Sequence, residues 1–293
     1  MKIKKSMSYR CFTVANTLFL LLVSFTMLYP MLYVLFASFS ESNALLMHDG
    51  LLYWPVGANT EAYMKVFNNP MVWSGYRNTL FILIVGVSLN MVMTTIAAYV
   101  LSRKNLPGSM AMTAFIVITM YFSSGLIPNY LNVKGMGLDN TLWALIIPGA
   151  MSAYNMIMMR TFFAGIPDSL EESATLDGAN HLVILLRIVL PLSGSVVAVM
   201  ILYYAVSHWN SWFNAMIYLR DRTKFPLQLV LREILIQNDT STMMENLSNL
   251  EQGSIAETIK YAIIVVSTAP ILMVYPFLQK YFVKGVMIGA IKG

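Results

Sequence analysis

Residues 165–191 read GIPDSLEESATLDGANHLVILLRIVLP. Asp168 with Glu171 three residues on has the spacing of a capping box, so a helix is expected over 169–176. On that helix Leu170, Ser173, Ala174 and Asp177 fall along neighbouring faces, with Glu172 turned elsewhere. Gly178 suits a left-handed C-terminal cap. A second, apolar helix over about 180–190 then meets Pro191, a residue well placed to begin a further helix. The product is a small, charged, amphipathic knob. On local physics alone it is either an element that docks into a groove on another protein or a well-capped turn that keeps its two neighbours apart.

Outward from this knob the chain becomes strongly apolar in both directions. A helix needs roughly 20 apolar residues to cross a hydrocarbon core of about 30 Å. Six stretches qualify, at about 13–39, 79–101, 110–126, 142–163, 194–218 and 258–278. The whole 293-residue sequence is 57% hydrophobic and 11% charged, against roughly 25% charged in average soluble domains. Its mean hydropathy is +0.64. A soluble globule of this size could not keep so much apolar side chain from water. The chain is therefore expected to be an all-α membrane protein with six transmembrane helices in one membrane domain, 1–293, and with the segment 164–193 linking helices 4 and 5. The first apolar run is too long for a cleaved signal peptide, so it is read as a retained span. Pro148 and Gly149 interrupt the fourth stretch, and Ser123, Ser124 and Gly125 the third. Such breaks are tolerated at membrane depth where a helix packs on protein or lines a wet cavity.

Lys2, Lys4, Lys5, Arg10, Arg103, Lys104, Lys280, Lys284 and Lys292 fall in the two termini and the loop between spans two and three. Basic residues near span ends mark the cytoplasmic side, which puts both termini and the 164–193 connection in the cytoplasm. The net charge of +5 is too mild and scattered for a nucleic-acid binder. The single Cys11 rules out an intramolecular disulfide, and three isolated histidines show no metal-ligand spacing.

The spacing within the connection is specific. Glu172-Ser173-Ala174, then Gly178 inside Asp177-Gly178-Ala179, then Ile188 through Leu190-Pro191 resembles the EAA signature of permease subunits of binding-protein-dependent ABC importers. It departs from that pattern at Ser173, where the family usually has Ala, a small-for-small change. Tyr76 through Leu80, the run from Ala97 to Arg103 and the tail from Gln279 to Gly293 are similar to the MalG-type carbohydrate permeases, so the resemblance covers about residues 9–293. The Trp209–Tyr218 and Phe225–Arg232 stretches resemble a branch handling complex or uronic-acid-containing oligosaccharides, such as alginate or pectin fragments.

The resemblance implies a type I ABC importer permease fold in a bacterial cytoplasmic (inner) membrane, with a cytoplasmic coupling helix between helices 4 and 5. It implies as partners a second permease subunit, two ATP-binding subunits, an extracytoplasmic solute-binding protein and an oligosaccharide substrate. By the same resemblance Pro167, Leu170, Glu171, Glu172, Ser173, Ala174, Asp177, Gly178 and Ala179 form the part seated in the ATPase, with Glu172 as its central contact. The sequence has no Gly-x4-Gly-Lys-Ser/Thr phosphate loop. No cofactor is expected on this chain, ATP and Mg belonging to the partner ATPase subunits, and the chain itself is not expected to be an enzyme.

Trp209, Asn210, Trp212, Asn214, Tyr121 and Tyr154 are candidates for the solute path, because Trp stacks on sugar faces and Asn bonds hydroxyls; Asn129 and Tyr130 are similar. The same residues equally suit an interfacial aromatic belt and helix–helix hydrogen bonds. Arg220, Arg222 and Lys224 suit an anionic sugar, a binding protein's acidic surface or a plain solvated loop. Gly285, Gly289 and Gly293 have the spacing of a close helix contact. An ion-coupled secondary transporter is the competing class. It normally needs ionisable residues inside its spans, and the six stretches are almost free of Asp, Glu and Lys. No intramembrane-protease or hydrolase motif is present.

Overall fold

A computed structural model describes residues 6–103, 106–122, 124–237, 257–274 and 276. Every regular element among them is helical. Three helices are each long and apolar enough to cross a membrane: Met7–Ser38, Pro70–Ser102 and Glu257–Val274. The broken pairs Ser109–Tyr121 with Leu126–Gly135, and His181–Leu192 with Gly194–Trp209, raise the number to five if each is one span. Lys2, Lys4, Lys5, Lys104, Ser123 and the tail with Lys280, Lys284, Gly285, Gly289, Lys292 and Gly293 lie outside the described residues.

The chain divides into two compact units, Met1–Pro70 with Glu233–Ala269, and Met71–Arg232 with Pro270–Gly293. In the first, Ala37, Leu45 and Leu52 form a small core against Tyr33, Phe36, Val56 and Tyr261. Polar bonds tie its loops down. The Leu52 N–H donates to the Tyr29 hydroxyl at 2.9 Å, Ser38 and Tyr63 share a 2.7 Å bond, and Ser42 and Thr258 another at 2.7 Å. Among the described residues little covers the helix Met7–Ser38: Leu18, Phe19, Leu22, Phe25 and Met27 are all exposed. A helix that turns such residues outward is suited to lipid or to another membrane subunit.

The second unit is organised by the helix Pro70–Ser102. Pro70 supplies a pre-set φ at the start, where no N–H is needed, and the 33 residues span about 50 Å. Its pattern is inverted relative to a soluble helix. The buried face carries Gly75, Asn78, Thr79, Gly86, Asn90, Thr94 and Thr95, while Phe81, Ile84, Val92, Met93 and Ile96 point outward. Small and polar residues face protein and apolar ones face lipid, as transmembrane packing requires.

Those polar residues explain why the fourth apolar stretch is not a continuous helix. It consists of a short turn at Leu142–Leu145 and a helix at Ala153–Phe163, 11 residues long. Proline removes a donor at Pro148 and forbids the preceding turn, which leaves backbone groups that need partners at membrane depth. Asn90 donates through its amide nitrogen to the Gly149 carbonyl at 2.6 Å, and the Ser152 N–H donates to the Tyr204 hydroxyl at 3.0 Å. Tyr204 in turn shares a 2.7 Å bond with Thr94. With its amide nitrogen used, Asn90 accepts through Oδ1 from His208 Nε2 at 2.7 Å, which assigns the Nε2–H form to that histidine. The third and fifth stretches are also shorter than expected. Their first helices end at Tyr121 and Trp209, and further helices run over Leu126–Gly135 and Phe213–Tyr218.

Gly86 makes room for this network. A Cβ there would sit 2.7 Å from His208 Nε2, so Gly86→Ala must push the ring off Asn90. We expect a net loss of about 1–3 kcal/mol, the steric and hydrogen-bond cost exceeding the helix-propensity gain. In detergent the melting temperature should fall by several degrees, while Gly135→Ala, which meets nothing within 4 Å, should leave it unchanged. Equal melting curves for the two variants would refute this account of Gly86.

Candidate functional site

The helix of the 164–193 connection runs over Asp168–Leu176. Pro167, extended at φ −58 and ψ 130, occupies the N-cap position, and no side chain caps the first turn. Asp168 is thus the first helical residue, not the cap, and the expected capping box does not form. The reason is competition for Glu171. Its carboxylate forms an ion pair with Arg103, at the far end of the helix Pro70–Ser102, with the two side chains 17% and 19% exposed.

The C-terminal end follows the expectation. Gly178 has φ +83, and a Cβ there would meet nothing within 4 Å, so the requirement is one of backbone and not of space. The Gly178 N–H donates to the Thr175 carbonyl at 3.0 Å and the Ala179 N–H to the Ala174 carbonyl at 2.9 Å. These are the two bonds of a Schellman closure. Asn180 then caps the next helix, accepting from the Val183 N–H at 2.9 Å. That helix runs through a wide turn at Leu185–Val189 just ahead of Pro191, whose missing N–H and bulky ring disfavour a regular turn.

Both helices of the connection, through Glu171 and His181, are tied to the same end of the long helix. Arg103 lies over the Tyr99 ring with its guanidinium carbon 4.6 Å from the centroid. Its Nε donates to the Tyr99 carbonyl at 3.3 Å and to the Ser102 hydroxyl at 3.1 Å. Burial pulls the guanidinium below its ordinary range, and its electrostatic interactions with the Tyr99 side chain and the Asp168 carboxylate draw it back. The Tyr99 hydroxyl meets His181 Nδ1 at 3.3 Å, and Arg160 Nε donates to the Leu101 carbonyl at 2.8 Å. Beneath them Tyr99, Met156, Met159, Phe163, Ile184 and Val189 belong to a buried apolar core, on which Ile166, Ala174 and Ala179 also pack. The outer face of the helix is different. Glu172, Ser173 and Asp177 are exposed, and so are two apolar side chains, Leu170 at 41% and Leu176 at 89%. Adjacent glutamates are about 100° apart around a helix: one is turned into this chain and the other away from it.

The solute-path candidates are not one cluster. Trp209 is buried at 6% exposure and packs edge-on to Tyr76 at 6.5 Å, a structural position. Asn210 ends its helix and is exposed, as is Asn214. Tyr121 is 80% and Tyr154 51% exposed, and among the described residues no bond or ring contact joins either to the others. Trp212 is half-exposed, crossed by Phe213 at 5.6 Å and covered by Arg232, whose guanidinium carbon lies 4.7 Å from the ring centroid. Asn129 accepts from the Ser124 hydroxyl, and Tyr130 stacks flat on Tyr218.

The basic run 220–224 is held by its neighbours. Arg220 pairs with Asp139 at 2.8 Å and donates to the Tyr130 hydroxyl, and Lys224 pairs with Asp221 and donates to the Asn140 carbonyl. Hydrogen bonds from the hydroxyl and backbone N–H of Thr223 hold the Asp221 carboxyl below its usual range. The following helix, Leu227–Gln237, docks at the N-terminal end of Pro70–Ser102. Its first N–H, at Leu227, donates to Thr79 at 2.9 Å, and Asn78 donates to the Thr223 and Phe225 carbonyls. Arg103 as the partner of Glu171, the Asn90–His208 bond and Arg232 over Trp212 were not singled out from the sequence. The partners lie 68, 118 and 20 positions apart, and no local spacing signals them.

Comparison with known proteins gives a consistent result. No family model matches the chain. It is 40% identical over 277 residues to the polygalacturonan/rhamnogalacturonan transport system permease protein YtcP of Bacillus subtilis (strain 168), covering 94% of this chain and 96% of that protein. It is 41% identical over 288 residues to Protein LplC of the same organism, covering 97% and 96%. Among solved structures it matches, with a TM-score of 0.87 and 34% identity over 96% of this chain and 100% of that one, a chain from the crystal structure of a bacterial ABC transporter involved in the import of the acidic polysaccharide alginate.

Proposed function

From the premise that the chain belongs to the sugar-permease subunits of ABC transporters, we propose that it carries uronate-rich oligosaccharides into the cell and that Asp168–Leu176 is the helix through which ATP hydrolysis drives it. The subunit imports oligosaccharide and is not itself an enzyme. An ion-coupled secondary transporter is set aside by the same membership. The importer works with a partner permease, ATPase subunits and a binding protein. We take the assembly to be a heterodimer of permeases over two ATPases, which hold the ATP and Mg. We also take the chain as one transmembrane domain of six spans with both termini and the 164–193 connection in the cytoplasm, as the basic residues at the span ends favour.

One observation carries the coupling assignment: Glu171 is committed to Arg103 while Glu172, one residue on, is exposed with the exposed Leu176 one turn further along the same side, and Leu170 is exposed as well. A helix that exposes apolar side chains next to an unspent charge is suited to a groove on another protein. A displacement of such a helix would pass through Arg103, Tyr99 and Arg160 to the end of a helix about 50 Å long, and so across the membrane. This is a two-state element biased by a partner's ligand.

The test is reconstitution of the four components in proteoliposomes, with ATPase stimulation and uptake measured for oligogalacturonate, alginate fragments and neutral maltodextrins. Acidic oligomers should stimulate hydrolysis several-fold and accumulate inside, and the neutral ones should do neither. Stimulation by maltodextrin alone would overturn the substrate reading.

A further inference from the structure

An anionic solute crossing this chain needs a cation that is not already neutralised. On the side that faces outward in the orientation above, Lys65 pairs with Glu61, Arg220 with Asp139 and Lys224 with Asp221, and Arg222 is engaged elsewhere. Arg77 and Lys134 are exposed, with no ring beneath them among the described residues. Arg232 differs from all of these. It is partly buried, no carboxylate among the described residues lies within ion-pair distance of it, and its guanidinium rests on the face of Trp212. It sits on the helix Leu227–Gln237, whose first turn is bonded to Thr79 near the outer end of the long helix.

We propose that Arg232 and Trp212 form a subsite for the carboxylate of a uronic-acid residue. A guanidinium is a planar fork that takes a carboxylate through two parallel N–H bonds. Stacking on the indole fixes the plane of that fork and leaves its N–H edge free, since a cation–π contact uses the face and not the donors. The half-exposed remainder of Trp212 offers an apolar surface to the C–H face of the sugar ring, next to Phe213. The two groups thus meet the two parts of a uronate that a neutral hexose does not combine. Glu233 follows Arg232 in the chain and turns about 100° away around the helix.

This inference rests on the substrate reading above, and the experiment separates the two. The whole importer is reconstituted with wild-type, Arg232→Gln, Arg232→Lys and Trp212→Leu permease, and uptake of trigalacturonate is compared with that of its fully methyl-esterified, uncharged form. Failure of the wild type to move the free acid overturns the substrate reading, and this subsite with it. Given wild-type uptake, Arg232→Gln should lower free-acid uptake by about tenfold or more, the effect of losing a charge-assisted pair, with a much smaller loss of ester uptake. Arg232→Lys, which keeps the charge but not the fork, should fall between. Trp212→Leu should slow both substrates. Unchanged free-acid uptake in Arg232→Gln, or an equal loss for acid and ester, overturns the subsite; where Arg232→Gln does not assemble, the acid-to-ester ratio of Arg232→Lys decides.

Discussion

Glu172→Lys should abolish ATP-driven uptake while the permease still inserts, assembles with its membrane partner and melts as the wild type does. The argument is one of location. Glu172 is exposed and makes no ion pair within this chain among the described residues, so reversing its charge costs the isolated subunit almost nothing. On the coupling role proposed above, the same side chain would face the ATPase in the assembled importer. Truncating one partner of a buried, hydrogen-bonded charge pair costs roughly 2–5 kcal/mol, or about 30- to 5,000-fold in affinity, and a reversal adds repulsion. The measurement is ATPase capture by the detergent-solubilised permease pair, alongside uptake in proteoliposomes. Gly178→Val should give the same loss of transport by another route, because a β-branched residue at φ +83 strains the turn by roughly 1–3 kcal/mol and misdirects the helix. Full uptake in Glu172→Lys would end the coupling assignment.

The second large effect concerns the neighbouring glutamate. Arg103→Glu should place two carboxylates against each other in a site where the native side chains are only 19% and 17% exposed. Breaking such a pair costs about 2–4 kcal/mol, because an unpaired charge is left behind. Here the penalty falls on the geometry of the proposed coupling helix, so uptake should drop by at least about tenfold while basal ATPase of the complex persists. The informative readout is the number of ATP molecules spent per oligosaccharide, which a merely unstable permease would not raise. The exchange Arg103→Glu with Glu171→Arg should recover a large part of coupling. Recovery will be incomplete, since the stack of Arg103 on Tyr99 is not restored by a glutamate. If the single variant couples normally, Arg103 is only a surface neighbour of the helix.

Much of the site was legible because it is local. A helix was expected over 169–176 and one runs over Asp168–Leu176, since one glycine with the right flanks is enough to close a helix. The N-terminal capping box was misread for a tertiary reason: Arg103 draws Glu171 to it, and a charge partner outbids the backbone N–H groups of the first turn. The long helix begins at Pro70, well before the apolar run at 79, because hydropathy marks the part of a helix that lies in lipid and not its ends. Trp209 and Trp212, three apart, looked equivalent in sequence, yet one is packed away against Tyr76 and the other lies under Arg232.

Membrane residence, the family, and the position and C-terminal closure of the helix at 168–176 followed from the amino-acid sequence alone. These depend on composition and on spacings within about ten residues, where chain geometry leaves few alternatives. Which glutamate faces inward, how Asn90 and Tyr204 support the broken stretch around Pro148, and which tryptophan carries a cation were decided only by the tertiary structure. The reason is physical: each depends on which helices lie side by side, and a hydrogen bond, ion pair or cation–π contact between residues 20 to more than 100 positions apart is set by packing and leaves no periodic trace in the chain.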